Sequence, residues 1–180
     1  MSTIIETDRI ILREITMDDY QFLYDLETNE HSLKYESDTV PTKEDVDKKL
    51  EKILNYIEDE DRTDYILLVE RKEEKLPIGK VLLWQIAEHI DEWEVGWMID
   101  YNHWGQGYAS EAAKALLEFG FNQLGANRIV ANCNDENLAS ERVMQKIGMT
   151  KEGVFRETRK LYDKMYGSCI YSILKREYDK

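Results

Sequence analysis

Residues 93–124 read WEVGWMIDYNHWGQGYASEAAKALLEFGFNQL, and the fold turns on this stretch. Over 93–100, Trp93, Val95, Trp97 and Ile99 recur at every second position, the period of a half-buried strand. From about 107 to 124, Ala109, Ala112, Ala113, Leu116, Leu117, Gly120, Phe121 and Leu124 form one continuous helical stripe. Between strand and helix lies Trp104-Gly105-Gln106-Gly107-Tyr108-Ala109. The first amides of a helix have no partner inside it, and the macrodipole adds positive potential there. Glycine lets the backbone come close to a ligand. Strand, Gly-x-Gly and helix therefore make either a tight turn or a cradle for a diphosphate. The third glycine of a dinucleotide fingerprint is absent, as is the Gly-Lys-Ser/Thr of a Walker loop.

Working outward, residues 3–13 read as a strand, and Thr16-x-x-Asp19 as a capping box opening a helix over about 18–28. Residues 29–40 read as a loop. Pro41-Thr42 starts a second helix to about residue 57, with Val46, Leu50, Ile53, Leu54 and Ile57 as its apolar stripe. Residues 58–61 (EDED) form an acidic turn without the spaced ligands and glycine of a calcium loop. Strands follow over 65–71 and 80–87, joined by a hairpin connection over 73–79. Gly125 closes the long helix. A strand over 128–133, a short helix ending before Gly148, and strands over 150–158 and 165–175 complete the chain. The predicted class is α/β (α+β): one domain with a central mixed sheet flanked by helices.

The chain has 180 residues, enough for one sizeable core, with 42% hydrophobic and 34% charged residues. No apolar run approaches a membrane span. The opening MSTIIETDR lacks the apolar core of a secretory signal, so a cytoplasmic protein is expected. Cys133 and Cys169 both sit in apolar strand-like runs and read as buried free thiols, not as a disulfide or a zinc site, and no metal is expected. A net charge of −13 argues against a nucleic-acid partner and suits a cationic substrate.

Gly-Gln-Gly-Tyr-Ala-Ser-Glu-Ala, from Gly105, resembles the acetyl-CoA loop of the GNAT superfamily of N-acetyltransferases, whose pattern is Gln/Arg-x-x-Gly-x-Gly/Ala. Gly107 and Ala109 match its end, while Trp104 stands where Gln or Arg is usual. The Trp-Gly-x-Gly-Tyr-Ala form is similar to one subgroup, the enzymes acetylating the N-terminal residue of ribosomal proteins. So is Thr7-Asp8-Arg9-Ile10-Ile11-Leu12-Arg13. A second motif, Asn134-x-x-Asn137-x-x-Ser140-x-x-Val143-x-x-Lys146-x-Gly148-Met149, resembles that subgroup's Asn-x-x-Ser…Lys-x-Gly-Phe segment. The element order over the whole chain is that expected of the GNAT fold.

The resemblance implies acetyl-CoA as co-substrate and direct attack by an amine, without a covalent enzyme intermediate. The amine must lose a proton, the oxyanion needs donors, and the departing thiolate must be reprotonated. By resemblance, amides of Gly105, Gln106, Gly107, Tyr108 and Ala109 hold the diphosphate. The oxyanion donor falls around Trp97, Met98 and Ile99. Asn137 bonds the pantetheine arm, and Ser140 donates to the departing sulfur. Arg142 and Lys146 share a helix face and approach the CoA phosphates. The competing reading makes Asn134 or Asp135 a helix cap, Ser140 a packed small residue, and Arg142 and Lys146 surface charges.

Met144 occupies the place where many family members carry a tyrosine acid, and a thioether cannot donate a proton. Glu94, opposite in parity to Trp93 and Val95, is either the general base or an exposed strand glutamate. His31, Tyr35 and Glu36 lie where the family walls its substrate site. The expected acceptor is a primary amine: a ribosomal or other protein N-terminus, a polyamine, an amino acid or an antibiotic amine. A homodimer is expected from the subgroup. The rival reading is a non-catalytic acyl-CoA sensor.

Overall fold

The computed structural model describes residues 3–59 and 61–178. Eight strands form one sheet: β1 (Ile4–Glu6), β2 (Ile10–Glu14), β3 (Asp64–Arg71), β4 (Leu76–Ala87), β5 (Glu92–Ile99), β6 (Arg128–Asn134), β7 (Thr150–Leu161) and β8 (Lys164–Leu174). Their spatial order is β1-β2-β3-β4-β5-β6-β8-β7. Neighbours are antiparallel except β5 and β6. The helices are α1 (Tyr20–Thr28), α2 (Glu30–Leu33), α3 (Lys43–Glu58), α4 (Tyr108–Asn122), α5 (Leu138–Lys146) and α6 (Lys175–Tyr178).

The core forms where the apolar periods meet. The alternation of β5 buries Trp93, Val95 and Ile99 on one sheet face, against the α4 stripe of Ala112, Ala113, Leu116 and Leu117. Gly120 lets α4 close on the sheet, since a Cβ there would lie 2.9 Å from Ile129 Cδ1 and 3.1 Å from Leu83 Cδ2. On the opposite face a smaller core joins Leu23 of α1 and Leu50 and Ile53 of α3 to Leu68 of β3. Successive residues Leu67, Leu68 and Val69 are therefore all buried, as in a strand covered on both sides.

Four expectations are corrected. Residues 3–13 form two strands, β1 and β2, paired antiparallel, because Thr7 turns the chain: its amide donates to Ile10 O at 3.0 Å and its hydroxyl oxygen accepts from the Ile10 amide at 3.1 Å. Residues 29–40 are not all loop: Asn29 accepts from the His31 amide and caps α2. The hairpin connection ends at Lys75, and Pro77, Ile78 and Gly79 already belong to β4, which bulges at Ile78 between the Val69–Gly79 and Glu70–Pro77 pairs, next to the proline. The last two strands extend to a tight turn at Tyr162 and Asp163, both with positive φ. The anticipated capping box Thr16/Asp19 is present before α1, and a second one, Thr42/Asp45, opens α3. Of the acidic turn, Glu60 lies outside the described residues.

Candidate active site

The parallel ladder between β5 and β6 is short. Only Glu92, Trp93 and Glu94 pair, with Arg128, Ile129 and Val130. Beyond them the strands part, and the edge of β5 from Val95 to Ile99 faces a cleft of about 1720 Å³ instead of a strand. Trp97, Met98 and Ile99 all line it.

The Gly-x-Gly segment closes one end. Gly105 and Gly107 have φ of +75° and +87°, which only glycine adopts without strain. Gly107 is the N-cap of α4. Among the described residues, no hydrogen bond uses the amides of residues 105–110 as donors, and Gly105, Gly107, Tyr108, Ala109 and Ser110 line the cleft. The cradle is therefore open, its amides neither capped nor covered. Gln106 does not line the cleft: its carbonyl accepts from Arg9 Nη1 at 3.1 Å.

That contact belongs to a clamp that periodicity does not reveal. Glu111, in the first turn of α4, accepts from Thr7 Oγ1 at 2.6 Å, the Arg9 amide at 3.1 Å and Arg9 Nε at 2.7 Å. Burial alone would raise the Glu111 carboxyl, but Thr7 and Arg9 outweigh it and hold the carboxyl below its usual range. The Arg9 guanidinium also stacks 4.5 Å from the centre of the buried Tyr108 ring. Thr7-x-Arg9 is thus a brace for the cradle. Trp104 contributes in its own way, donating from Nε1 to Ile99 O at 2.6 Å and tying the loop back to the end of β5.

On the far wall Asn137, not Asn134 or Asp135, is the N-cap of α5, and its Oδ1 accepts from the Ser140 amide at 3.1 Å. Asn137 and Ser140 both line the cleft, and the Ser140 hydroxyl and the Asn137 side-chain NH2 make no hydrogen bond among the described residues. Arg142 and Lys146 also line it and carry no ion pair among the described residues. Met144 is fully buried in the main core and does not line the cleft. Cys133 borders the cleft, but burial pushes its thiol up to about 12, so it is no nucleophile at neutral pH.

Glu94 lies in the same cleft, on the β5 face opposite the buried Trp93 and Val95. Burial raises its carboxyl above the usual range, against the lowering effect of an Asn132 hydrogen bond and of Arg159. Asn132 Nδ2 donates to Glu94 Oε1. Arg159 Nη2 donates to Asn132 Oδ1 at 2.9 Å, and Arg159 Nη1 reaches Glu36 Oε2 at 3.2 Å. Asn132 and Arg159 escaped the sequence reading, because each looks like an ordinary polar residue of an exposed strand. His31, Tyr35 and Glu36 all line the cleft, with His31 stacked 4.5 Å from Tyr101.

The wider wing of the cleft is not acidic. Glu27 is buried and pairs with Lys80 and with Lys49, the latter at 2.7 Å. Burial would raise the Glu27 carboxyl, but the two lysines hold it below its usual range. Overall Glu27, Glu36, Asp45, Asp64, Glu94 and Glu136 are matched by Lys34, Lys49, Lys52, Lys80, Arg142, Lys146 and Arg159. The charge excess of the chain thus lies outside the cleft. Among the described residues no cluster suited to a metal ion occurs, and no helix is long and apolar enough to cross a membrane.

A strand edge left open beside a helix N-terminus with free amides is the architecture of an acyltransferase that works with a diphosphate-bearing carrier. The family model described as "Acetyltransferase (GNAT) domain" matches residues 9–150, and the chain belongs to that family of N-acetyltransferases. It is 34% identical over 176 residues to the uncharacterized N-acetyltransferase YnaD of Bacillus subtilis (strain 168), covering 97% of this chain and 99% of that one. Spermidine N-acetyltransferase from Vibrio cholerae, solved with CoA and spermine, superposes with a TM-score of 0.85 at 22% identity, over 97% of this chain and 100% of that one. Ribosomal-protein-S5-alanine acetyltransferase from Vibrio fischeri gives 0.84 at 18% identity, over 98% of each. These last two likenesses are of fold. The family uses acetyl-CoA, and the free amides, the glycine conformations and the cationic flank of α5 fit its diphosphate and phosphates.

Proposed function

We propose that this enzyme moves an acetyl group from acetyl-CoA directly to the primary amine of a protein N-terminus, a ribosomal protein being one such acceptor. The carrying observation is the set of unengaged amides at residues 105–110, in a segment that, apart from Gln106, lines a cleft along the unpaired edge of β5. When bound, acetyl-CoA supplies the activated thioester. Residues 105–110 hold its diphosphate through main-chain amides, and Arg142 and Lys146 meet its phosphates. Asn137 keeps an amide NH2 for the pantetheine arm. A main-chain amide at Trp97, Met98 or Ile99 donates to the charge developing on the carbonyl oxygen. Glu94, its proton affinity raised by burial, takes the proton from the attacking ammonium. Ser140 gives a proton to the departing sulfur.

The charge balance of the cleft supports a peptide N-terminus over a polyamine. Its acids are largely satisfied internally, Glu27 by two lysines and Glu36 by Arg159, so no acidic trough awaits a polycation. His31, Tyr35 and Glu36 wall the acceptor side. Thiol release across N-terminal peptides, polyamines, amino acids and aminated antibiotics tests the reading. Peptides are expected to give the highest kcat/KM, Glu94→Gln to lower kcat at least ~100-fold, and Ser140→Ala to lower kcat more than acetyl-CoA affinity. Tight acetyl-CoA binding without release from any amine would replace this reading with that of a sensor.

A further inference from the structure

We propose that Arg159 is a positioning residue: by holding Asn132 Oδ1 it fixes the amide so that Nδ2 faces Glu94, and by gripping Glu36 it ties this contact to the acceptor wall. The inference rests on Glu94 being the base. Its ground is the continuous chain of contacts from Glu36 through Arg159 and Asn132 to Glu94, which joins the segment after α2 to β7, β6 and β5.

An asparagine amide can sit either way round, with oxygen and nitrogen exchanged. A guanidinium only donates, so only the amide oxygen can meet Arg159. With Oδ1 taken, Nδ2 is the atom left for the carboxylate. Without Arg159 the amide is free to turn its oxygen toward Glu94, where two acceptors would face each other. Arg159 Nη1 also reaches Tyr35 O at 3.4 Å, so the same side chain fixes the wall segment.

The backbone is shaped to deliver this residue. β7 is the outermost strand of the sheet, and its register against β8 breaks between Phe155 and Arg159. Phe155 pairs with Ser168 and Arg159 with Tyr166, so β7 carries extra residues here. Glu157 takes a φ of +53° within the bulge, a conformation unusual for a side chain of its kind. Thr158 and Ser168 share a 2.7 Å hydrogen bond that pins the irregular segment. The bulge brings an arginine from an edge strand into the cleft, with its side chain 27% exposed.

Other charged groups around Glu94 do not substitute for this chain. Asp64 of β3 stands across Trp84 of β4, which is itself opposite Glu94, and Asp64 accepts from Thr63. Arg128 of β6 is engaged by Glu92 and Glu152. Lys80 of β4 is committed to Glu27. Arg159 reaches Glu94 through one intervening amide.

The test titrates the Glu94 carboxyl by carbon NMR in the ligand-free protein, with Glu94→Gln to assign the signal, and measures kcat and KM for the best peptide acceptor. Arg159→Met and Asn132→Ala are each expected to move the Glu94 midpoint upward by about half a pH unit or more. They should shift the acid limb of kcat/KM the same way and lower kcat about 10-fold. Arg159→Lys should recover only part of the loss, and the thermal shift caused by acetyl-CoA should not change. In a Glu94→Gln background, Arg159→Met should cost nothing further in kcat. An unmoved midpoint in the folded Asn132→Ala protein, or losses that add in the double variant, would overturn the positioning role while leaving Glu94 as base. A Glu94→Gln enzyme with wild-type kcat would remove the base itself, and this inference with it.

Discussion

Gly107 holds the cradle open through its φ of +87°. A Cβ there meets only Arg9 Nη2 at 3.5 Å, so space is not the obstacle; conformation is. Gly107→Val is expected to cost about 1–2 kcal/mol in urea unfolding if the loop keeps its shape. If the loop relaxes instead, the amides turn away and acetyl-CoA affinity falls at least ~10-fold by calorimetry. A variant normal in both would show that the amide geometry is dispensable.

Glu27 carries a prediction of a different kind. Its carboxyl sits below the ordinary range in the folded protein, so its contribution is present above about pH 4.3 and is lost as pH falls through the lowered value. Removing it strands Lys80, whose side chain is 10% exposed. Glu27→Ala should therefore cost about 3–5 kcal/mol at pH 7 and clearly less near pH 3, measured by urea unfolding at both. An equal cost at both pH values would mean that lost packing, not charge, is responsible.

Single residues were unevenly legible. Gly105, Gly107, Asn137 and Ser140 announce themselves through spacing. Thr7, Arg9 and Glu111 meet across about a hundred positions, and Arg159 arrives through a bulge; neither leaves a periodic trace. Asn137, read as a candidate pantetheine contact, lines the cleft, but its capping role was not legible, since asparagine serves both purposes.

At the scale of elements, the strand–cradle–helix unit was readable because its two periods differ sharply on either side of two glycines. The turn at Thr7 and the turn at Tyr162-Asp163 were not, because neither contains glycine or proline. Their shape is imposed by strand pairing on both sides. The seat of α4 on the sheet yields a direct test. Gly120→Val places methyl groups where Ile129 and Leu83 already sit, and should cost about 1–3 kcal/mol in urea unfolding. Gly120→Ala should be milder, since alanine gains up to about 1 kcal/mol of helix propensity that offsets crowding. A stabilised valine variant would mean that the α4 contact is looser than described.

For the molecule as a whole, a carrier lodged between β5 and β6 should act as a stabilising ligand. At a hundredfold excess over Kd the linkage is about 2.7 kcal/mol. For a chain of this size that raises Tm by about 5–10 °C. An unshifted melt at saturating acetyl-CoA would count against the cradle.

The short ladder at Glu92–Glu94 has a mechanical consequence. Five strands on one side and three on the other are stitched together at one end only, like the two arms of a clothes peg. Whatever slides between the arms takes the place of the missing rungs and stiffens the whole body. On the proposed reading the acyl donor is then a temporary structural member as well as a reactant.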